Sequence, residues 1–293
     1  MPVVKFIACL DLKRKFYFLR LPQVSLWIQL PGDLTSPAGI KKNMVGIIMR
    51  KGWFTKNRTK IRVLITALML FTGSAHAAPQ ILIDEQFASL EQWEPFSFPK
   101  IDNHSSYDVT TEDGVTCLIA TTRNSASAIL YKEPFNVYDY PEIAWRWKVS
   151  NVYKKGDSSR KDGDDYPVRL YILFQYDPET ASFGKTLRYE IAKLLYDSYP
   201  PDSSLNYIWA NKEQTPPFIP NPYTSSAMMF PVDQGSKTVG NWSEHKRNIV
   251  RDYSAAFGED PPPLATLAVM SDSDNTGESA TAYIEYIRVF RTP

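Results

Sequence analysis

The chain has 293 residues, with 33 Lys+Arg against 32 Asp+Glu, 43% apolar and 13% aromatic residues, and 22 prolines. That composition belongs to a globular protein and excludes a disordered chain or a collagen-like repeat. The near-neutral total hides an asymmetry: residues 1–77 hold 13 Lys+Arg and 2 Asp+Glu, whereas residues 78–293 hold 20 and 30.

From Met49 the chain runs through Arg50, Lys51, Lys56, Arg58, Lys60 and Arg62 into the apolar run 63–71, then Gly73-Ser74-Ala75-His76-Ala77. A basic segment, a short apolar segment and small residues at Ala75 and Ala77 have the layout of a secretory signal peptide, which predicts cleavage after Ala77. The apolar run is far shorter than the roughly 20 residues of a membrane-spanning helix, so no stable membrane anchor is expected after cleavage. A signal peptide works at an N-terminus, yet 48 residues precede Met49, interrupted by Pro22, Pro31 and Pro37. The expected start is therefore Met49 or Met44, with 1–48 outside the real precursor, 49–77 the signal peptide and 78–293 a single domain. A genuine N-terminal extension is the alternative. The destination is the periplasm or the medium of a bacterium.

Residues 78–293 suffice for one domain with a sizeable core. Their only cysteine is Cys117, so no internal disulfide forms, and its apolar run 115–120 predicts a buried thiol. Thirty acidic against 20 basic residues supply no basic footprint for nucleic acid or an anionic lipid surface.

Strands are predicted over 81–87, 107–111, 115–121, 127–132, 143–149, 168–176, 205–210, 227–232, 264–270 and 282–290. Glu112-Asp113-Gly114 reads as a hairpin turn between the second and third of these. In the fifth, Ile143, Trp145, Trp147 and Val149 share a core face while Arg146 and Lys148 point to water. The sixth has a mixed second face of Arg169, Tyr171, Leu173 and Gln175, suited to a sheet surface or a ligand groove. Helical periodicity predicts helices over 185–196 and 247–257, the second stopped by Gly258. Many short strands with about two decorating helices predict a mainly β fold, a two-sheet antiparallel jelly-roll sandwich.

Catalytic signatures are sparse. Residues 78–293 contain only His104 and His245, and neither G-x-S-x-G nor a phosphate-binding glycine loop occurs. Two acidic loops stand out, Asp162-Gly163-Asp164-Asp165 and Asp272-Ser273-Asp274-Asn275. Crowded carboxylates invite a cation, so Asp272, Asp274 and Asn275 are candidate calcium ligands, with solvated turns as the alternative. Thr276 and Tyr283 occupy positions that exclude an EF-hand. Asn206-Tyr207-Ile208-Trp209 and Asn221-Pro222-Tyr223 place rings beside amides, a pairing that suits a sugar, with Asp165 as a further polar contact. Core packing is the alternative for those rings. Arg169, Tyr171, His104 and Asp164 or Asp165 form the catalytic alternative: an Arg neutralises a uronate while Tyr or His exchanges a proton, or two carboxylates cleave a glycoside.

Phe98-Pro99-Lys100-Ile101, Trp145-Arg146-Trp147-Lys148-Val149, Lys161-Asp162-Gly163-Asp164-Asp165-Tyr166-Pro167-Val168-Arg169, Asn206-Tyr207-Ile208-Trp209, Asn221-Pro222-Tyr223-Thr224 and Met270-Ser271-Asp272-Ser273-Asp274-Asn275-Thr276 together resemble the bacterial exported family called domain of unknown function 3047. That resemblance implies export and a single-domain layout, with no activity attached. The first strand, 81–87, and the last, 282–290, are similar to the opening and closing strands of galactose-binding-like jelly rolls, including carbohydrate-binding modules. This second resemblance implies a sandwich, in some members a structural calcium, and sugar binding. The leading expectation is thus an exported, non-catalytic glycan-binding protein with polysaccharide as partner. The alternatives are a polysaccharide-active lyase or glycosidase, and a structural or assembly protein of the bacterial envelope.

Overall fold

The computed structural model describes residues 78–98, 101–179, 200–213 and 216–293, so the predicted signal peptide and the predicted helix 185–196 lie outside the described residues. In chain order the strands are β1 (Gln80–Glu85), β2 (Trp93–Ser97), β3 (Ser106–Glu112), β4 (Val115–Arg123), β5 (Ala126–Tyr131), β6 (Phe135–Asn136) and β7 (Glu142–Val149). There follow β8 (Arg169–Phe174), β9 (Ser203–Ala210), β10 (Ile219–Asn221), β11 (Thr224–Gln234), β12 (Ser243–Asn248), helix α1 (Ile249–Phe257), β13 (Leu264–Asp272) and β14 (Ser279–Arg291). All ten predicted strands form. The predicted helix over 247–257 forms too, starting two residues later because Arg247 and Asn248 still pair with β7.

Two sheets build a sandwich. The six-stranded sheet runs β12-β7-β14-β4-β3, with β1 also paired to β14; the eight-stranded sheet runs β10-β11-β9-β8-β13-β5-β2, with β6 also on β13. The chain crosses repeatedly from one sheet to the other, as in a jelly roll. Pairing is antiparallel except between β9 and β11, which are parallel. The expected two-sheet jelly-roll sandwich thus forms with one parallel pair in it. That pair arises because the connection after β9 first lays down β10, whose hairpin with β11 then returns the chain in the direction of β9.

The side-chain period of two explains what lies between the sheets. Ile143, Trp145, Trp147 and Val149 of β7, with Ile284, Ile287 and Val289 of β14, meet Leu170, Ile172 and Phe174 of β8 and Tyr207 and Trp209 of β9. Each fully buried apolar side chain contributes on the order of 1.5–3 kcal/mol. The opposite face of β7 is only partly wet: Arg146 is half-buried, and Lys148 is buried with its ammonium over the rings of Trp242 and Tyr283. Cys117 lies on that same outer side, fully buried, where burial pushes its thiol pKa up.

The second face of β8 is neither a sheet surface nor a groove. Arg169, Tyr171 and Leu173 are all buried, the last two packed with Ala128, Leu130, Ala268, Met270 and Phe98 in a second apolar cluster. No helix among the described residues is long and apolar enough to cross a membrane.

Candidate functional site: an interior acidic cluster and an edge cleft

Three chain segments converge at one end of β8. The loop before β8 supplies Asp164 and Asp165, β8 begins with Arg169, and β13 ends with Asp272, followed by Asp274 and Asn275. Arg169 Nε donates to Asp272 Oδ1 at 3.0 Å, and Nη2 donates to Asp272 Oδ2. Nη2 also donates to the Asp164 carbonyl at 2.6 Å, while Nη1 reaches Asp164 Oδ1 at 3.4 Å. The guanidinium stacks on Tyr166, 4.3 Å from the ring centre. Asp165 is fully buried and accepts from Asn275 N (2.9 Å), Asn275 Nδ2 (3.1 Å) and Thr276 N (2.6 Å). Asn221 Nδ2 donates to Asp164 Oδ2 at 3.2 Å. Carboxylate oxygens of Asp165, Asp272 and Asp274 lie within 4.8 Å of one another. Asn275, the third of the candidate ligands Asp272, Asp274 and Asn275, thus sits beside Asp165, to which it donates its backbone N–H and its Nδ2.

The loop that follows β7 closes over this cluster. Asn211 bridges the two, accepting from Tyr153 N at 2.7 Å and donating to the Asp165 carbonyl at 2.6 Å. Gly156 is needed there because a Cβ would overlap the Asn211 amide. Lys154 N and Lys155 N donate to Glu278, and Lys155 Nζ to the Thr276 carbonyl.

The remaining sequence candidates do not join one open site. Tyr207 and Trp209 face the inter-sheet core, fully buried against Trp145 and Trp147, whereas Asn206, which precedes Tyr207, points to the other face of the sheet. Alternation along a strand separates them, so they cannot form the ring-and-amide surface expected of a loop. Tyr223 donates its hydroxyl to the Lys161 carbonyl at 2.7 Å, and Lys161 Nζ sits over its ring. Of the catalytic quartet, Arg169 and Asp164 meet in the interior, Tyr171 donates to Met270 Sδ at 3.7 Å, and His104 is exposed elsewhere.

His104 instead borders a cleft of about 340 Å³ at the edge of the sandwich, between β2 of one sheet and β3 of the other. Trp93, Pro95, Phe96 and Ser97 of β2, Ser127 and Ile129 of β5, and Tyr107 with Ser105 line it. The hydroxyls of Tyr107 and Ser105 are already engaged: Tyr107 OH donates to the Ser127 carbonyl and accepts from Ser271 N at 3.0 Å, and Ser105 Oγ donates to the Ser271 carbonyl at 2.8 Å. These bonds tie Tyr107 and Ser105 to Ser271, next to Asp272 at the end of β13.

A Ser-His-Asp grouping also exists that sequence reading missed. Ser243 Oγ lies 3.1 Å and Asp233 Oδ2 2.7 Å from the same nitrogen of His245, Nε2, and Trp147 Nε1 donates to Asp233 at 2.6 Å. A relay needs the nucleophile and the carboxylate on opposite ring nitrogens. This grouping therefore anchors β11 and β12 to β7 and has no triad geometry.

The family model described as "Protein of unknown function (DUF3047)" matches residues 91–288. The chain belongs to this family. The match spans the sandwich from just before β2 to β14 and includes both the acidic cluster and the cleft. No curated protein matches the chain. Among solved structures, the chain is similar to a family 11 carbohydrate-binding module from Clostridium thermocellum in complex with a mixed-linked tetrasaccharide, with 11% identity, 74% of this chain and 98% of that one covered, and a TM-score of 0.37. It is also similar to the lectin from Bauhinia forficata in complex with GalNAc (12% identity, 73% and 98% covered, TM-score 0.36). A third is endoglucanase 3 of Trichoderma harzianum, of family GH12 (12% identity, 74% and 100% covered, TM-score 0.33).

Proposed function

We propose that this family member is an exported, non-catalytic glycan-binding sandwich whose ligand enters the edge cleft. The observation that carries the reading is the cleft itself: a volume of about 340 Å³, the half-buried rings of Phe96 and Tyr107 in its lining, and the exposed polar groups of Ser97 and His104 beside them. Pockets of a few hundred Å³ with apolar walls and few polar groups are the usual form of a small-ligand site. A sugar offers an apolar face to rings and hydroxyls to neighbouring donors and acceptors. The reading is non-catalytic because the acidic residues nearest a hydrolase's needs, Asp164 and Asp272, are buried and paired to Arg169. Export rests on the basic, apolar and small-residue pattern of 49–77 and is tested by whether the protein recovered from the periplasm or medium begins at Ala78.

The binding test incubates the purified protein with a panel of bacterial and plant polysaccharides and measures bound fraction and released oligosaccharide together. Binding without release is expected. Ser97→Trp, which fills the cleft from an exposed position, is expected to weaken it at least tenfold with an unchanged melting temperature. Binding that survives Ser97→Trp would remove the ligand from this cleft. Release of oligosaccharide would overturn the non-catalytic reading, and no binding at all would overturn the glycan reading in favour of an envelope protein partner.

A further inference from the structure

We infer that the edge cleft selects glycans bearing acetyl groups, attached through nitrogen or oxygen, over the same chains without them. The inference rests on the cleft being the glycan site, and adds to that reading which part of a sugar it takes. The first observation is charge. Among the described residues that line the cleft, none is Asp, Glu, Lys or Arg. A uronate carboxylate or a free amino group entering it would lose hydration and meet no opposite charge. The second observation concerns hydrogen-bond donors. Ser127 Oγ donates to the Ser105 carbonyl at 2.8 Å, Ser105 Oγ to the Ser271 carbonyl at 2.8 Å, Tyr107 OH to the Ser127 carbonyl, and Trp93 Nε1 to Glu85 at 3.0 Å. A hydroxyl or an indole has one hydrogen to give, so these four side chains keep no donor for a ligand. The side-chain donors that remain in the lining are the Ser97 hydroxyl and the His104 ring, both on exposed residues. Leu90, Pro95, Phe96, Ala128 and Ile129 complete it with apolar surface.

Together these favour one part of a sugar over the rest. A bare hydroxyl both donates and accepts, and one buried against Leu90, Pro95 and Ile129 would lose its water without replacement. An acetyl group brings a methyl, which needs no partner, and a carbonyl oxygen, which only accepts and so matches the two donors left at Ser97 and His104. The volume of about 340 Å³ is near the small end of ligand pockets, room for the substituent and the ring that carries it rather than for a run of sugars. One added apolar group in an apolar pocket discriminates about 10–200-fold, which sets the size of the preference. N-acetyl and O-acetyl groups present the same methyl and carbonyl, and matched ligands separate them.

Two matched pairs are titrated into the purified protein by calorimetry: chitin oligosaccharides against their deacetylated counterparts, and acetylated xylan against the same xylan after mild alkali. At least about tenfold tighter binding of the acetylated member is expected in one pair or both, and the pair that shows it identifies the nitrogen-linked or oxygen-linked source. Saturation-transfer NMR is expected to mark the acetyl methyl protons most strongly. In Ser97→Trp the difference within the pair is expected to vanish. Equal affinity within both pairs, saturation spread evenly over the ring protons, or a preference that survives Ser97→Trp would overturn the acetyl selectivity of the cleft. Binding confined to unacetylated or uronate polysaccharides would overturn it too, and would leave the glycan reading standing. No binding of any polysaccharide, acetylated or not, would overturn both.

Discussion

Arg169 concentrates the residue-scale physics of the molecule. It is 1% exposed and holds Asp272 through two donors and Asp164 through side chain and carbonyl. Removing one member of a buried pair leaves an uncompensated charge, so Arg169→Met is expected to cost about 3–5 kcal/mol in denaturant unfolding. Asp233 makes a second case, with a pH signature. Burial works against its charge, yet hydrogen bonds from His245, Trp147 and Ser243 outweigh that and hold its pKa below the ordinary value. A carboxylate whose folded pKa is depressed contributes stability that is present above its unfolded pKa of about 3.9 and lost as pH falls through the folded value. Unfolding midpoints measured from about pH 5 down to about pH 3 are therefore expected to fall, less steeply in Asp233→Asn. At this scale the sequence was informative about residue types and silent about meetings. Two acidic loops 107 positions apart, at Asp165 and Asp272, are visible as composition, but their convergence depends on β8 and β13 being neighbours in register. Trp209 and Tyr207 misled because a ring beside an amide looks the same in a loop as in a core strand whose faces alternate.

Strands that were legible are those with an apolar face, and the four that were not explain themselves. β2 carries Pro95 and sits at a sheet edge, where proline is tolerated; β10 is three residues with Pro220; β6 is two residues long. β12, Ser-Glu-His-Lys-Arg-Asn, has no alternation of polarity because its pairing with β7 at the sheet edge is carried by the backbone. Turn chemistry was read correctly: Asp113 and Gly114 both have positive φ, 53° and 79°, as a two-residue hairpin of the mirror-image type requires. Gly114→Ala meets no steric obstacle in space, so its cost is conformational. It is expected to destabilise the protein by about 1 kcal/mol, read as a lower denaturant midpoint with an unchanged slope. Helix α1 is likewise bounded by its own sequence, with the Asn248 side chain accepting from Arg251 N and Gly258 in the left-handed region at its end. The cleft escaped sequence reading because its two walls are edge strands of different sheets, one of them unseen.

Across the whole molecule, the two sheets share one core, in which Trp145, Trp147 and Trp209 stand between them. Separation of the sheets exposes these rings and dissolves both pairing faces at once. Tryptophan fluorescence and far-ultraviolet circular dichroism are therefore expected to report one coincident transition on urea titration, and separated midpoints would mean that one sheet persists without the other. The same architecture leaves the acidic cluster and the cleft on adjoining parts of β13, since Ser271 braces Tyr107 and the next residue is Asp272. Cys117 adds a different consequence. It is the one sulfhydryl from Ala78 onward, and it lies sealed on the outer side of the six-stranded sheet. An alkylating reagent reaches it only during moments when that sheet parts. In a chain that begins at Ala78 the pace of its modification is thus an internal clock for breathing of the sandwich, readable by mass without introducing any foreign probe.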